Sequence, residues 1–365
     1  MSTKSRLAIA VGIIVLIALS ICFKLSEFGK KDTEVENKII DLKSATVEQI
    51  AERAKEEGKF ESLCLLGKMH GMDDILNNFS SRYGIGYEDY YMDNKDIIEK
   101  FSKDKSKAIG IVDLSVAEKA AEFGILQTYE NSYWDFIPDW AKDKNGLWVS
   151  AFGGCTSFLY NGGAAPCSWK DIEEGNYKIT IGNAALNKTA QSVVIASSYA
   201  FGGSMDNLEP AFDFWLKMAE ENRIDGGDIL IPRVNSGEIE LGITWSYESV
   251  FYKNSSENNN VCVAIPSDGA ILMNNAFVMN KNTDTPFSAA LFSEFLFSDE
   301  GQTILAKSGA IPTRTNFTIP KEIEKETFSA DEYKNAVIIS DYEKYLTACN
   351  KVSKWWEENI IPKIT

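Results

Sequence analysis

Between Phe60 and Gly124 short apolar runs alternate with amphipathic segments, and this alternation limits the possible folds more than any other feature. Ser62–Leu66 reads as a buried strand. A helix follows that opens at Asp73 or Asp74, carries Ile75, Leu76, Phe79 and Tyr83, and closes on Gly84. Asp96–Lys103 reads as a second helix, Ala108–Val112 as a second strand, and Val116–Phe123 as a third helix with Gly124 at its C′ position. This order predicts a parallel α/β sheet. Ligands in such sheets sit beyond the carboxyl ends of the strands, which selects two loops, Gly67–Gly71 and Asp113–Ser115.

The N-terminus bears on compartment. Lys4 and Arg6 precede an uncharged apolar run from Leu7 to Phe23, followed by Lys24. Residues 1–24 read as a signal peptide or a membrane anchor. Ser20 suits a signal-peptidase site and Cys22 a lipoprotein's acylated cysteine, although Ile21 stands where a small residue is expected. Cleavage, lipidation and retention all begin from the same insertion physics, and each predicts an exported, membrane-tethered chain at the cell surface or in the periplasm. Residues 25–58 follow as a polar tether and a first helix carrying Val47, Ile50, Ala51 and Ala54.

A formal charge of −16 offers no basic patch for phosphates, so no nucleic-acid partner is expected. The six cysteines contain no C-x-x-C pair, and Cys155 with Cys167 is one conceivable bridge beside the alternative of buried thiols. His70 is the single histidine, which leaves little for His-based metal sites or nucleophile activation. No metal, cofactor or catalytic residue is predicted. The absence of a G-x-x-x-x-G-K-S/T pattern argues against ATP hydrolysis by this chain.

Further along, Ala290–Arg314 encodes two short helices around a break. Phe292, Phe295 and Leu296 share one helical face, and Ser298 offers an N-cap with Asp299 and Glu300 in the first turn. Ile304 and Leu305 supply the next apolar face, Lys307 sits in the last turn, and Gly309 and Pro312 end the helix. The wording, a Phe-rich helix, then SDEGQ, then GAIPTR, resembles the C-terminal part of the extracellular solute-binding proteins of ABC transporters, in the iron/thiamine/polyamine-like group. Six other phrases resemble that family in order: DDILNNFSSRYGI, AIGIVDLSVAEKAAEFGIL, DKNGLWVSAFGGCTSFLYN, CSWKDIEEGNYKITIGNAA, NSGEIELGITWSYESVFY and VCVAIPSDGAILMNNAFVMNK. Lys178 stands where the family usually has glycine.

The resemblance implies a two-lobed periplasmic-binding-protein type II fold, each lobe a mixed sheet flanked by helices and joined by hinge strands. Lobe one would take residues 59–155 and 273–330 and lobe two residues 156–272, with C-terminal helices over 331–365 packing on the lobes, most simply as a buttress for lobe one. It implies a non-enzymatic, monomeric substrate-binding subunit that captures a small-molecule solute between the lobes and delivers it to ABC permease and ATPase partners. The alternatives are a ligand-sensing module for a membrane receptor, or a secreted two-lobed enzyme with Asp113 and Glu248 flanking a substrate.

Candidate ligand residues follow from position. Lys68 and Met69 occupy the first strand-to-helix loop, where a cation and free N–H groups suit an anion, or Lys68 is a solvated lysine. Asp113 and Ser115 end the next strand, with helix capping by Ser115 as the plainer role. Gly153, Gly154, Cys155 and Thr156 lie on the crossover strand, where the glycines allow close approach or a bend. Asn187, Lys188 and Thr189 begin a helix and suit an anion cradle or ordinary capping. Trp245, Ser246, Tyr247 and Glu248 end a second-lobe strand, where rings stack on a ligand or pack in the core. Arg314 is a weaker contact. Iron-binding members use adjacent tyrosines near this region. Here Tyr247 and Tyr252 are separated and the adjacent Tyr90–Tyr91 pair lies in the first lobe, so a small organic ligand or organophosphate is expected instead.

Overall fold

The capping box at Thr46 starts the first helix: its hydroxyl accepts from the Gln49 N–H, and the Gln49 side chain accepts from the Thr46 N–H at 2.9 Å. The computed structural model describes residues 42, 44–63, 71–92 and 94–364. The expected signal segment, Lys68 and Met69 lie outside the described residues. So do Cys22, Cys64 and His70.

The first half comprises α1 (Val47–Glu57), β1 (Lys59–Leu63), α2 (Met72–Tyr83), β2 (Gly86–Tyr90), α3 (Asn94–Lys103), β3 (Lys107–Asp113) and α4 (Leu114–Glu122). β1 lies between β2 and β3 and is parallel to both, as the alternation predicted. β2 was not predicted. It is an edge strand, largely exposed, so its sequence GYEDY carries no buried alternation.

β4 (Trp148–Asn161) then runs through both halves of the sheet. Trp148–Cys155 pair with the first half through the later strand β9, and Thr156–Tyr160 pair with the second half. The second half contains α5 (Trp169–Glu174), β5 (Ile179–Thr180), α6 (Lys188–Ala200), α7 (Glu209–Glu220), β6 (Ile224–Asp225), α8 (Ile231–Asn235), β7 (Leu241–Trp245), α9 (Ser246–Ser255) and β8 (Val261–Ala264). β9 (Ile271–Met279) returns to the first half, antiparallel to both β3 and β4. Among the described strands the order is β2-β1-β3-β9-β4-β7-β5-β6, with β8 beside β4.

α10 (Pro286–Leu296) and α11 (Asp299–Lys307) occupy the break-and-cap segment as predicted. Every residue of α10 is buried, and Phe60, Phe79, Phe292 and Phe295 pack ring against ring around it at centroid distances of 5.4–5.8 Å. The Ser298 hydroxyl caps α11 by accepting from Gly301 N–H at 3.2 Å. Gly309 has φ +82°, and a Cβ there would lie 2.6 Å from Val250 and 2.8 Å from the Ser246 carbonyl, so glycine is required on both counts.

The C-terminal region departs from expectation. After α12 (Ala330–Tyr333), the short strand β10 (Val337–Ile338) pairs with Ile271 and Leu272 of β9. α13 (Tyr342–Asn359) and α14 (Ile361–Ile364) follow. α13 does not simply buttress the first half; most of its length packs on α6 and α7. Trp355 stacks on Phe212 at 4.2 Å, Trp356 meets Trp215 edge-on at 5.5 Å, and Tyr345 bonds Ser192 at 2.7 Å. The apolar spacing correctly indicated a packed helix but could not say which helices it would meet.

Candidate functional site

The sheet's own geometry gathers the predicted residues. Parallel strands of the first half end at Asp113, those of the second half end at Thr180 and Trp245, and the antiparallel crossovers β4 and β9 run between them. Register then fixes neighbours: Asp113 faces Asn275, Gly154 faces Met273, and Thr156 faces Trp245.

Asp113 occupies the N-cap position of α4, yet its side chain makes no capping hydrogen bond. Its carboxylate accepts instead from the Tyr342 hydroxyl at 3.2 Å. Burial raises the Asp113 carboxyl above its ordinary value, opposed by the positive charge of Lys188 and by this hydrogen bond. Ser115 does not cap α4 either; its hydroxyl lies beside Tyr342.

Tyr247 lies in the first turn of α9, buried, with its ring edge-on to Phe152 at 5.9 Å and Asn275 of β9 beside its hydroxyl. Burial raises this phenol well above its ordinary value, and the nearby Glu248 and Asp113 carboxylates add to the rise. The ring rests directly on the β4 backbone. A Cβ on Gly154 would lie 2.5 Å from Tyr247 Cε1, so glycine is what permits the contact. The Cys155 N–H donates to the Ser246 hydroxyl at 3.2 Å, and the Thr156 hydroxyl accepts from Ile271 N–H at 3.1 Å. The first ties β4 to the start of α9, and the second ties β4 to β9. Cys155 is buried, which pushes its thiol up to about 12, and Cys167 is exposed; both are free thiols.

Trp245 is only 4% exposed and belongs to the core, and Tyr247 is 7% exposed. Of the two roles open to these rings, packing in the core accounts for both. Asn187 caps α6 by accepting from Ala190 N–H at 3.1 Å, while Lys188 is exposed and Thr189 half-buried beside it. Arg314 is turned inward: it donates to the Phe297 carbonyl and Asp299, and lies 4.1 Å from the Tyr133 ring centre. Tyr90–Tyr91 lies exposed at the far edge of the first half, with Tyr90 donating to Glu88 at 2.6 Å. Among the described residues no group of three His, Cys, Asp or Glu is placed to hold a metal ion.

Glu248 accepts a short hydrogen bond from the Thr244 hydroxyl, and burial raises its carboxyl against that bond. A raised folded value means the folded chain holds this proton more tightly than the unfolded one. The resulting cost is absent below the unfolded value near 4.5 and grows as pH rises through the folded value. Glu248→Gln is therefore expected to be more stable than the parent at pH 7, with the gap closing towards pH 4. Denaturant midpoints at the two pH values check this, and an equal gap at both would remove burial as the cause.

Two site residues escaped the sequence reading. Asn275 carried a signal, because adjacent asparagines inside the apolar run ILMNNAFVM mark polar groups in a buried strand. Tyr342 carried none, since its position depends on the path of α13. A cavity of ≈ 390 Å³ opens between α2, α9 and α11, lined by Gly71, Asp74, Phe251 and Lys307 among others; no described ligand candidate lines it.

No curated protein sequence matches this chain. Solved structures do. A ferric binding protein from Campylobacter jejuni is 18% identical, with 82% of this chain and 98% of that chain aligned at a TM-score of 0.59. The periplasmic binding protein AfuA from Actinobacillus pleuropneumoniae, bound to fructose-6-phosphate, is 18% identical over 83% and 99% at 0.60. PotD, the spermidine/putrescine substrate-binding protein from Streptococcus pneumoniae, is 16% identical over 81% and 99% at 0.62. At these identities the likeness establishes the fold, a two-lobed periplasmic-binding-protein architecture. The family model of bacterial extracellular solute-binding proteins matches residues 105–343, which include β3, both crossovers and the whole second half. With fold and sequence in agreement over most of its length, the chain belongs to the bacterial extracellular solute-binding proteins.

Proposed function

We propose that this chain is the substrate-binding subunit of an ABC importer, delivering a small solute to a membrane permease, with lobe one over 59–155 and 273–330 and lobe two over 156–272. The observation that carries the reading is the convergence of Asp113, Asn275, Gly154–Thr156 and Trp245–Tyr247 at the line where β4 changes partner from β9 to β7. Opposed strand ends across a crossover are where such a fold can hold a ligand with groups from both lobes. Closure of the lobes on solute, without bond making, is the mechanism. Asp113, Ser115, Gly154, Cys155, Thr156, Asn187, Lys188, Thr189, Tyr247 and Glu248 are the proposed wall of the cleft, with Trp245 supporting it from the core and Lys68 and Met69 completing it. Tethering through residues 1–24 and a monomeric state belong to the same proposal. Among the described residues no helix is long and apolar enough to cross a membrane.

A thermal-shift screen of phosphates, sugar phosphates, polyamines, thiamine and ferric complexes tests the reading. A true ligand at a hundred times its dissociation constant adds about 2.7 kcal/mol to the folded state. The expected result is a concentration-dependent rise in melting temperature with one chemical class. A flat response to all classes, with nothing co-purifying, would reject solute capture.

A further inference from the structure

We propose that Tyr342 is the positioning residue for the Asp113 carboxylate, a phenol brought by the C-terminal helix to an acid at the end of β3. The proposal deepens the solute-binding reading, because it concerns an acid assigned there to the cleft wall.

Tyr342 begins α13, and the body of that helix is fastened to the second lobe. Tyr345 bonds Ser192 of α6 at 2.7 Å, and the Ser353 hydroxyl donates to the Ala185 carbonyl at 2.6 Å. Trp355 and Trp356 lock against Phe212 and Trp215 of α7. Upstream, β10 ties the preceding segment to β9 at Ile271 and Leu272, and Asp341 caps α13 by accepting from Lys344 N–H at 2.9 Å. The phenol thus stands where the chain passes from β9 to the second-lobe helices, whereas β3 and α4 set the carboxylate's position.

Tyr342 donates to Asp113 Oδ2 at 3.2 Å, and the Ser115 hydroxyl lies beside the phenol. Asp113 has no use as a cap for its own helix, so the phenol is the donor that orients it. The charged and titratable groups facing this pair are Lys188 from α6, Tyr247 from α9 and Cys349 one face along α13; Asn275 of β9 is the neutral polar neighbour in register. A donor on a half-buried carboxylate favours its ionised form, and loss of that donor favours the proton.

Carbon-detected NMR of the full chain labelled at Asp Cγ tests this, with Asp113→Asn identifying the Asp113 signal. Tyr342→Phe keeps the ring and removes the hydroxyl, so its packing is conserved. The Asp113 midpoint is expected to rise by roughly half a pH unit or more. Tyr345→Phe, which removes a hydroxyl from the same helix at its Ser192 contact, should leave the midpoint in place. Ser115→Ala removes the polar neighbour of the phenol and should shift the midpoint in the same direction by less, which also covers a poorly folded Tyr342→Phe. An unmoved midpoint in Tyr342→Phe and Ser115→Ala overturns the proposal. Equal shifts in Tyr342→Phe and Tyr345→Phe also overturn it, by exposing a general loosening of α13. The titration reads Asp113 in the absence of any solute, so a failed solute screen would leave its result intact.

Discussion

Replacing Trp356 with alanine is expected to lower the unfolding free energy by about 3–5 kcal/mol, the range for deleting a fully buried large aromatic side chain. Trp356 has no exposed surface, meets Trp215 at 5.5 Å, and shares a core with Phe214 and Trp169 through that contact. A void at this point has no neighbour free to fill it, because the surrounding rings are themselves packed edge to face. Among the described residues the indole N–H has no hydrogen-bond partner, so no bond there offsets its burial. Trp356→Phe, which keeps a ring and deletes that N–H, should consequently cost far less. Denaturant unfolding of both variants checks the order. A midpoint unchanged by Trp356→Ala would show that α13 is not part of the cooperative unit, contrary to its contacts with α6 and α7.

The second large effect concerns Gly154. Gly154→Ala places a methyl 2.5 Å from Tyr247 Cε1, inside any tolerated contact distance. Tyr247 cannot swing away freely, since Phe152 lies edge-on to its ring and the side chain is buried in the core. The variant is expected to lose roughly 1–3 kcal/mol, as overpacked cores do, and to bind any solute found by the screen more weakly. A double-mutant cycle isolates the cause: in a Tyr247→Ala background the added methyl should cost little. If Gly154→Ala costs the same with and without the Tyr247 ring, the clash is not the mechanism, and the glycine serves the crossover strand in some other way.

Much of the architecture was readable locally. The helix over Met72–Tyr83 with its Gly84 end, the capped helix Asp299–Lys307 and the alternation around β1 and β3 all follow from spacing, caps and turn residues within a dozen positions. The elements that were missed, β2 and β10, are exposed or very short, and neither carries a burial period that a sequence could display. The candidate residues named from the sequence are strand ends and helix starts, and what each touches was not legible there. Asp113 meets Tyr342, Arg314 donates to the Phe297 carbonyl and Asp299, and the Trp245 ring packs in the core.

The amino-acid sequence by itself determined the α/β class, the order of elements and the family, because periodicity, capping and short phrases are written in neighbouring residues. Only the tertiary structure decided which side chains meet. Asp113 and Tyr342 are 229 positions apart, and their contact depends on strand register, on the turn after β10 and on the helices that seat α13. Register and helix docking are settled by the joint burial of many distant side chains, which no local pattern encodes.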